Sequence, residues 1–375
     1  MEADVSGIGT VTGTRVRAAG TREFRRALSG VAPAQTFWEV ESCLLAKVTA
    51  TRLAFLLIAL ILLAGCTQGN VEAMERENWR RHCFGRLSIE LPRSADVTEV
   101  YRIEGDLFER LPDSAGQLER RIEGRTKELE EQQHATGRSM LIDRVVYPAG
   151  GQTLMSWEWP DEEDMLWADA FFMTDDPWRA YRYSGGVSAS LEKRADALLR
   201  GIAGGLQGLE PEDVPGAPGF CVDGGWIAGT GFRSEMMDVS VRLPEYPGMV
   251  LSLLSSTQAE VDKETLLDRG MLSEAILVAQ GATRLRKGKR SPGGVSGGEY
   301  SMASTESGQR IYTFAWEAPG KAVSVTEPYL LAEMQVFGQP VVDDDNPYEP
   351  PFEDDEEALE LWDAIIDSIR LLPGA

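Results

Sequence analysis

Gly294-Val295-Ser296-Gly297-Gly298 is the stretch whose spacing comes nearest to a catalytic motif. It satisfies G-x-S-x-G, the nucleophile elbow of lipases and esterases, where a serine sits on a tight turn between an apolar strand and a helix. A histidine later in the chain must then take the serine proton. The flanking residues do not supply those parts. Residues 284–290 are basic, Ser291 to Gly294 read as a turn, Glu299-Tyr300-Ser301-Met302 reads as a strand, and no histidine follows. His82 beside Cys83 suggests a thiol dyad, but neighbours in a strand point to opposite faces. The run Asp161 to Asp164 reads as a solvated loop, since a glycosidase needs two carboxylates converging across a cleft. With only His82 and His134 and no CxxC or HxxxH spacing, no metal pattern is present. We assign no catalytic residue, metal ligand or cofactor, and the chain reads as non-enzymatic.

Cysteine chemistry of another kind is written at Leu63-Ala64-Gly65-Cys66. Lys47 and Arg52 precede an apolar run from Leu53 to Leu62, and small residues then lead into the cysteine. This is the form of a bacterial lipobox. The run is too short to cross a hydrocarbon core, which takes about twenty residues, so a cleaved signal fits better than a membrane helix. Cleavage before Cys66 would leave it as the N-terminal residue, its thiol available for lipidation, and expose the chain to the periplasm. Thr67, rather than aspartate, follows the cysteine, which by the usual sorting convention favours the inner leaflet of the outer membrane. Met1 to Ala46 is polar and Arg-dotted, unlike a signal, and reads as an extension upstream of the true start.

Removing residues 1–65 takes away 7 basic and 5 acidic side chains and leaves 30 against 55, a formal charge of −25. Such a charge repels nucleic acid and anionic headgroups and suits a soluble body or a basic protein partner. Cys83 and Cys221 then remain as an even pair, read most simply as one disulfide in an oxidising compartment. Two separate buried thiols are the alternative.

Periodicity outlines the elements. Residues 66–78 form a tether. Leu87, Ile89 and Leu91 alternate in a strand ended by Pro92, and Val97 to Phe108 is expected beside it. A helix is predicted over Gln117 to Gln132, then strands at Met140–Tyr147, Gln152–Trp159, Trp167–Met173 and Ala180–Tyr183. A second helix, Leu191 to Ile202, has Ser190 as its cap and turns Leu191, Ala195, Leu198 and Ile202 to one side. Residues 209–219, rich in Pro and Gly, read as a linker between domains at 79–208 and 220–375. Beyond it come strands around Val239, Met249–Leu254, Glu299–Ser304, Ile311–Glu317 and Leu330–Phe337, with helices over Leu266–Val278 and Ala358–Ile369. The pattern suggests a degenerate duplication. Cys83-x-Gly85 aligns with Cys221-x-x-Gly224 and Ser156-Trp157-Glu158 with Ala315-Trp316-Glu317, the drift in offset fitting an insertion such as Lys287–Gly298. The fold class expected is α+β, two pseudo-repeated domains with helices on mostly antiparallel sheets.

The strongest electrostatic feature runs from Asp343-Asp344-Asp345 to Asp354-Asp355-Glu356-Glu357. Tyr348 and Phe352 lie within it, among Pro347, Pro350 and Pro351. Read blandly, it is a solvating loop whose last acids favour a helix N-terminus. Read functionally, it is a stiff docking surface, with Tyr348 and Phe352 as anchors and Asp343, Asp344, Asp345, Asp354 and Asp355 steering a basic partner.

Two motifs open the two halves: His82-Cys83-Phe84-Gly85-Arg86-Leu87-Ser88-Ile89-Glu90-Leu91-Pro92 and Gly219-Phe220-Cys221-Val222-Asp223-Gly224-Gly225-Trp226-Ile227. With Phe314-Ala315-Trp316-Glu317 in support, the chain resembles the immunity proteins of type VI secretion lipase effectors, specifically the fourth class of Tle cognate immunity proteins. The resemblance implies a periplasm-facing, two-domain α+β inhibitor whose partner is a phospholipase toxin, gripped near its mobile cap. It transfers no catalytic or contact residues. An envelope lipoprotein with a structural role, and a secreted hydrolase using the G-x-S-x-G stretch, are the other readings. A lipase-effector gene beside this one separates the first from both.

Overall fold

Alternation sets most of the strands. Along Tyr329–Val336 the side chains of Leu330, Ala332, Met334 and Val336 turn into the core while those between face outward, and Glu235–Arg242 buries Met237, Val239 and Val241 in the same way. The computed structural model describes residues 76–374 apart from 149 and 344, with backbone alone for residues 271–273. The lipobox with Cys66, and Asp344, lie outside the described residues.

The first half runs β1 (Trp79–Phe84), β2 (Leu87–Pro92), β3 (Asp96–Ile103), β4 (Asp106–Leu111), α1 (Ala115–Glu131), β5 (Leu141–Val146), β6 (Gln152–Trp157), β7 (Met165–Asp175), β8 (Trp178–Ser188), α2 (Glu192–Gly205) and β9 (Leu206–Gly208). The second runs β10 (Gly219–Val222), β11 (Gly225–Ala228), β12 (Glu235–Arg242), β13 (Met249–Ser256), α3 (Leu266–Ala279), β14 (Thr283–Arg290), β15 (Gly297–Glu306), β16 (Gln309–Ala318), β17 (Tyr329–Val336), α4 (Asp355–Ile366) and β18 (Arg370–Leu371). The two orders are the same, element for element. Residues 209–218 between them carry neither helix nor strand. The fold is α+β, and every strand pair among the described residues is antiparallel.

Twelve strands share one sheet, in the order β14-β15-β16-β17-β13-β12-β3-β4-β8-β7-β6-β5. Read outward from the β12–β3 seam, the order is the same in both directions. The seam is a full ladder, pairing Glu235 with Ile103 at one end and Arg242 with Asp96 at the other. Two small sheets then tie the halves reciprocally. β18 of the second half pairs with β2 of the first, and β9 of the first pairs with β11 of the second. Cys83 and Cys221 are joined as a disulfide with Cα atoms 5.8 Å apart, beside backbone bonds in both directions between Gly85 and Cys221.

At the centre of this knot Arg86, 2% exposed, aims its guanidinium at Glu235, 5% exposed. Nε and Nη2 donate to the two carboxylate oxygens at 2.6 Å each, and Nη1 donates to the Gly219 carbonyl at 3.1 Å. Burial pushes the Glu235 carboxyl up to about 7 even against that guanidinium.

Several expectations change at the tertiary level. Val97–Phe108 is not one strand beside β2; it breaks at Glu104-Gly105, both with positive φ, into β3 and β4, which pair with β12 and with each other. Trp157 and Trp316 lie on β6 and β16, whose topological counterparts are β15 and β7, so that sequence match joins inequivalent strands. Nor is Lys287–Gly298 the insertion, because Thr283–Arg290 is strand β14, the counterpart of β5. The extra length lies at 337–354, between β17 and α4, where the first half has only Ala189–Leu191. Ser190 does not cap α2: its Oγ meets Ser188 Oγ at 2.9 Å, and Leu191 stands at the cap. Of the face assigned to that helix, Ile202 is buried, as is Leu199, but Leu191 is exposed and Leu198 half-buried.

Candidate functional site

The segment that distinguishes the second half, residues 337–354, is held in shape by a few polar side chains. Gln339 is the hub. Its backbone N–H donates to Gln309 Oε1 at 2.6 Å, and Gln309 Nε2 returns to the Gln339 carbonyl at 3.0 Å. The Gln339 amide also donates to the carbonyls of Val341 and Pro347, at 3.2 Å each. Asp343 turns inward on its own loop, accepting from the N–H groups of Asp345 and Asn346 at 3.0 and 2.8 Å, as short acids do in turns. Asp345 itself is exposed.

The far end of the segment belongs to the core. Phe352 is 5% exposed, against Tyr246 and Tyr312 at ring separations of 5.0 and 5.6 Å. The anchor role expected for it fails in this conformation, since a buried ring has no surface to offer. Tyr348 is half-buried and accepts from the Arg310 N–H at 3.3 Å. Asp354 is the N-cap of α4, accepting from Glu356 and Glu357 at 2.9 and 3.0 Å. Asp355 takes a two-pronged bond from Arg310, at 2.9 and 2.7 Å, and another from Tyr312. The Arg310 guanidinium holds its carboxyl below the usual carboxylate range. Asp354 and Asp355 therefore fasten the helix that buries Leu361, Trp362, Ile365 and Ile366, while among the described residues of the stretch Asp345, Glu349, Glu353 and Glu356 are exposed without such a role.

Exposed apolar groups stand beside these acids where the sequence reading had none: Phe337 and Val341, each 58% exposed, and Val342. Exposed apolar side chains with charged residues near them in the chain have the composition that interface cores and rims share. The signal missed was position. Val341 and Val342 precede the acidic run and break the alternation that ends at Val336, so they had no sheet face to enter.

The remaining candidates do not assemble into a reaction centre. Ser296 is exposed in the turn from β14 to β15, with a strand rather than a helix after it. His134 is buried against Trp157, 4.8 Å between ring centres. His82 lies on β1 and accepts from Arg80 Nε at 3.0 Å; burial first, then the Arg80 charge, holds it down at about 4, so it is neutral at pH 7.

Residues 213–374 match the family described as the Tle cognate immunity protein 4 C-terminal domain. Three solved structures are similar over 80% of this chain and 100% of their own. The apo structure of immunity protein TplEi of the type VI secretion system from Pseudomonas aeruginosa is 35% identical, with a TM-score of 0.73. A chain of the Tle4–Tli4 complex is 36% identical, also at 0.73. The Pseudomonas aeruginosa TplEi structure complexed with "L" peptide is 35% identical, at 0.69. No curated protein matches the chain.

Proposed function

The chain belongs to the Tle cognate immunity protein 4 family, and from that premise we propose that it binds a type VI secretion phospholipase effector and holds it inactive. The observation that carries this reading is the likeness, along the whole of the matched chain, to a structure determined as the Tle4–Tli4 complex. The chain is not an enzyme; it acts through surface. The two halves grip the effector at its cap region and keep the catalytic serine from lipid. The continuous β12–β3 ladder supports a clamp assembled before binding, which lowers the ordering cost of association. Such a grip buries an interface on the order of 1,600 Å² or more, and the loop bearing Phe337, Val341 and Val342 supplies one part of it.

Co-expressing the cognate phospholipase effector in the periplasm, with and without this chain, tests the proposal. Survival with the chain and killing without it are expected, and equal killing rejects immunity. Reversing Asp345, Glu349 and Glu353 to lysine, while leaving the loop-holding Asp343 and the helix-fastening Asp354 and Asp355, should slow association several-fold and change its salt dependence. An unchanged association rate removes the loop from the interface and leaves the immunity reading standing.

The same reading puts the protein on the periplasmic side, anchored through acylated Cys66 to the inner leaflet of the outer membrane. Each acyl methylene contributes about 0.8 kcal/mol on burial, so several chains make release negligible. The lipobox and the Cys83–Cys221 pair both support an oxidising compartment outside the cytoplasm. Mass spectrometry of the protein from the outer-membrane fraction should find Cys66 acylated and the Cys83 and Cys221 peptides linked without reduction. Protein recovered in the cytoplasm with a bare Cys66 and two free thiols overturns the location.

A further inference from the structure

The mirrored order of the sheet gives every packing position in one half a counterpart in the other, and at one such position the halves differ. In the second half, a site is bounded by the β12–β13 turn, which carries Tyr246, and by the end of the β16–β17 ladder, where Tyr312 pairs with Val336. Phe352 fills it from the 337–354 segment, against Tyr246 and Tyr312. The first half has no such segment, since only Ala189–Leu191 separates β8 from α2. Its counterpart site, between the β3–β4 turn, the end of β8, α2 and the residues after β11, is an open cavity of about 560 Å³. That volume lies in the range of roughly 300–1,000 Å³ typical of binding clefts.

The cavity has an apolar interior and a neutralised lip. Val187, Leu198, Ile227 and Phe232 line it, and Leu191 stands at its mouth 51% exposed. Around the lip, Arg194 Nη2 donates to Glu104 Oε2 at 3.4 Å, the Arg233 N–H donates to Glu104 Oε1 at 2.6 Å, and the Tyr183 hydroxyl donates to Asp106 Oδ2 at 3.0 Å. Arg194 and Arg233 stand against Glu104 and Asp106 in the lining, so the formal charges balance and neither sign dominates the lip. A flat apolar group can settle against the backbone at Gly201 and Gly231, since a Cβ on either would meet nothing within 4 Å.

We propose that this groove receives an aromatic side chain on an extended segment of the phospholipase effector, doing in the complex what Phe352 does within the second half. The proposal rests on the immunity reading and adds a contact point to it. A polypeptide occupant is favoured over a lipid tail because the chain itself seats a polypeptide ring, Phe352, in the matching position. Aromatic side chains carry large apolar area with few rotatable bonds, which suits them to such anchoring.

Gly201→Trp and Gly204→Trp provide the test. Both sites are on α2, and a Cβ at either meets open space, so both variants should fold. Gly201 lines the cavity and Gly204 does not. Binding is measured between the full chain and the cognate phospholipase effector carrying an inactivated nucleophile. Gly201→Trp should weaken the Kd at least tenfold, whereas Gly204→Trp should stay within twofold of the unsubstituted chain. A photo-crosslinking residue at Leu191 should mark an effector segment that contains an aromatic residue. Equal affinity for Gly201→Trp, or cross-links to a second copy of this chain or to phospholipid, overturns the groove's role while the immunity reading stands. If the unsubstituted chain does not bind the phospholipase, both fall.

Discussion

Arg86→Ala should lower the unfolding free energy by about 3–5 kcal/mol, the range for removing one partner of a buried ion pair. The loss comes from what is left behind. Glu235 stays buried without its two donors, and the Gly219 carbonyl loses a third. Glu235 already titrates up to about 7, above its unfolded value, and losing Arg86 raises it further. A carboxyl raised in the folded state binds its proton more tightly folded than unfolded, so its cost appears as pH climbs from the unfolded value through the folded one. The deficit of Arg86→Ala in a urea melt should therefore be larger at pH 8 than at pH 5. The double variant Arg86→Met with Glu235→Leu should recover most of the loss, because no charge is then stranded. A single variant within 1 kcal/mol of the unsubstituted protein at pH 8, taking about that as the lower limit for a stranded charge, would show that the pair carries little of the fold.

Separating the halves is expected to abolish folding of each. Residues 76–208 alone would lack β18 against β2, and residues 209–375 alone would lack β9 against β11. Each would also present a seam strand with one edge unpaired, β3 or β12, the latter carrying the fully buried Met237, Val239 and Val241. A long apolar edge invites aggregation. Circular dichroism and size exclusion should find neither fragment monomeric with a cooperative transition, and refolding the two together should restore one. A monomeric, cooperatively unfolding fragment would refute the interlock. The family match at 213–374 marks a unit of sequence, and this result would show that the unit of folding is larger.

How much could be read before the fold was known varies with how local the cause is. The α1 and α4 helices were readable because their caps and apolar stripes lie within a few turns of each other. Strand β14 was not, since Thr283-Arg284-Leu285-Arg286-Lys287-Gly288-Lys289-Arg290 reads as a basic turn-like run. Its charges are those of an edge strand, with Arg286 and Arg290 spent on buried Glu299. Phe352 was read as exposed because it stands among acids and prolines; its destination, between Tyr246 and Tyr312, is set by residues far away in the chain. Leu191 and Leu198 were read as core by their spacing, and they line a groove because no segment in this half arrives to cover them.

The class of fold, the positions of most elements, the family to which the chain belongs and the cysteine pair available for a bridge are all legible in the residues alone. These follow from short-range patterns: a period of two or 3.6, a cap, a motif a few residues long. Only the tertiary structure decided that β3 would meet β12, that the last strand of each half would close the other's hairpin, and that one of two matching sites would be filled and the other left open. An alternating strand records which of its faces is buried but not which edge will find it. The identity of the partner strand is a long-range property of the whole chain, settled where buried surfaces and unpaired backbone groups can all be satisfied at once.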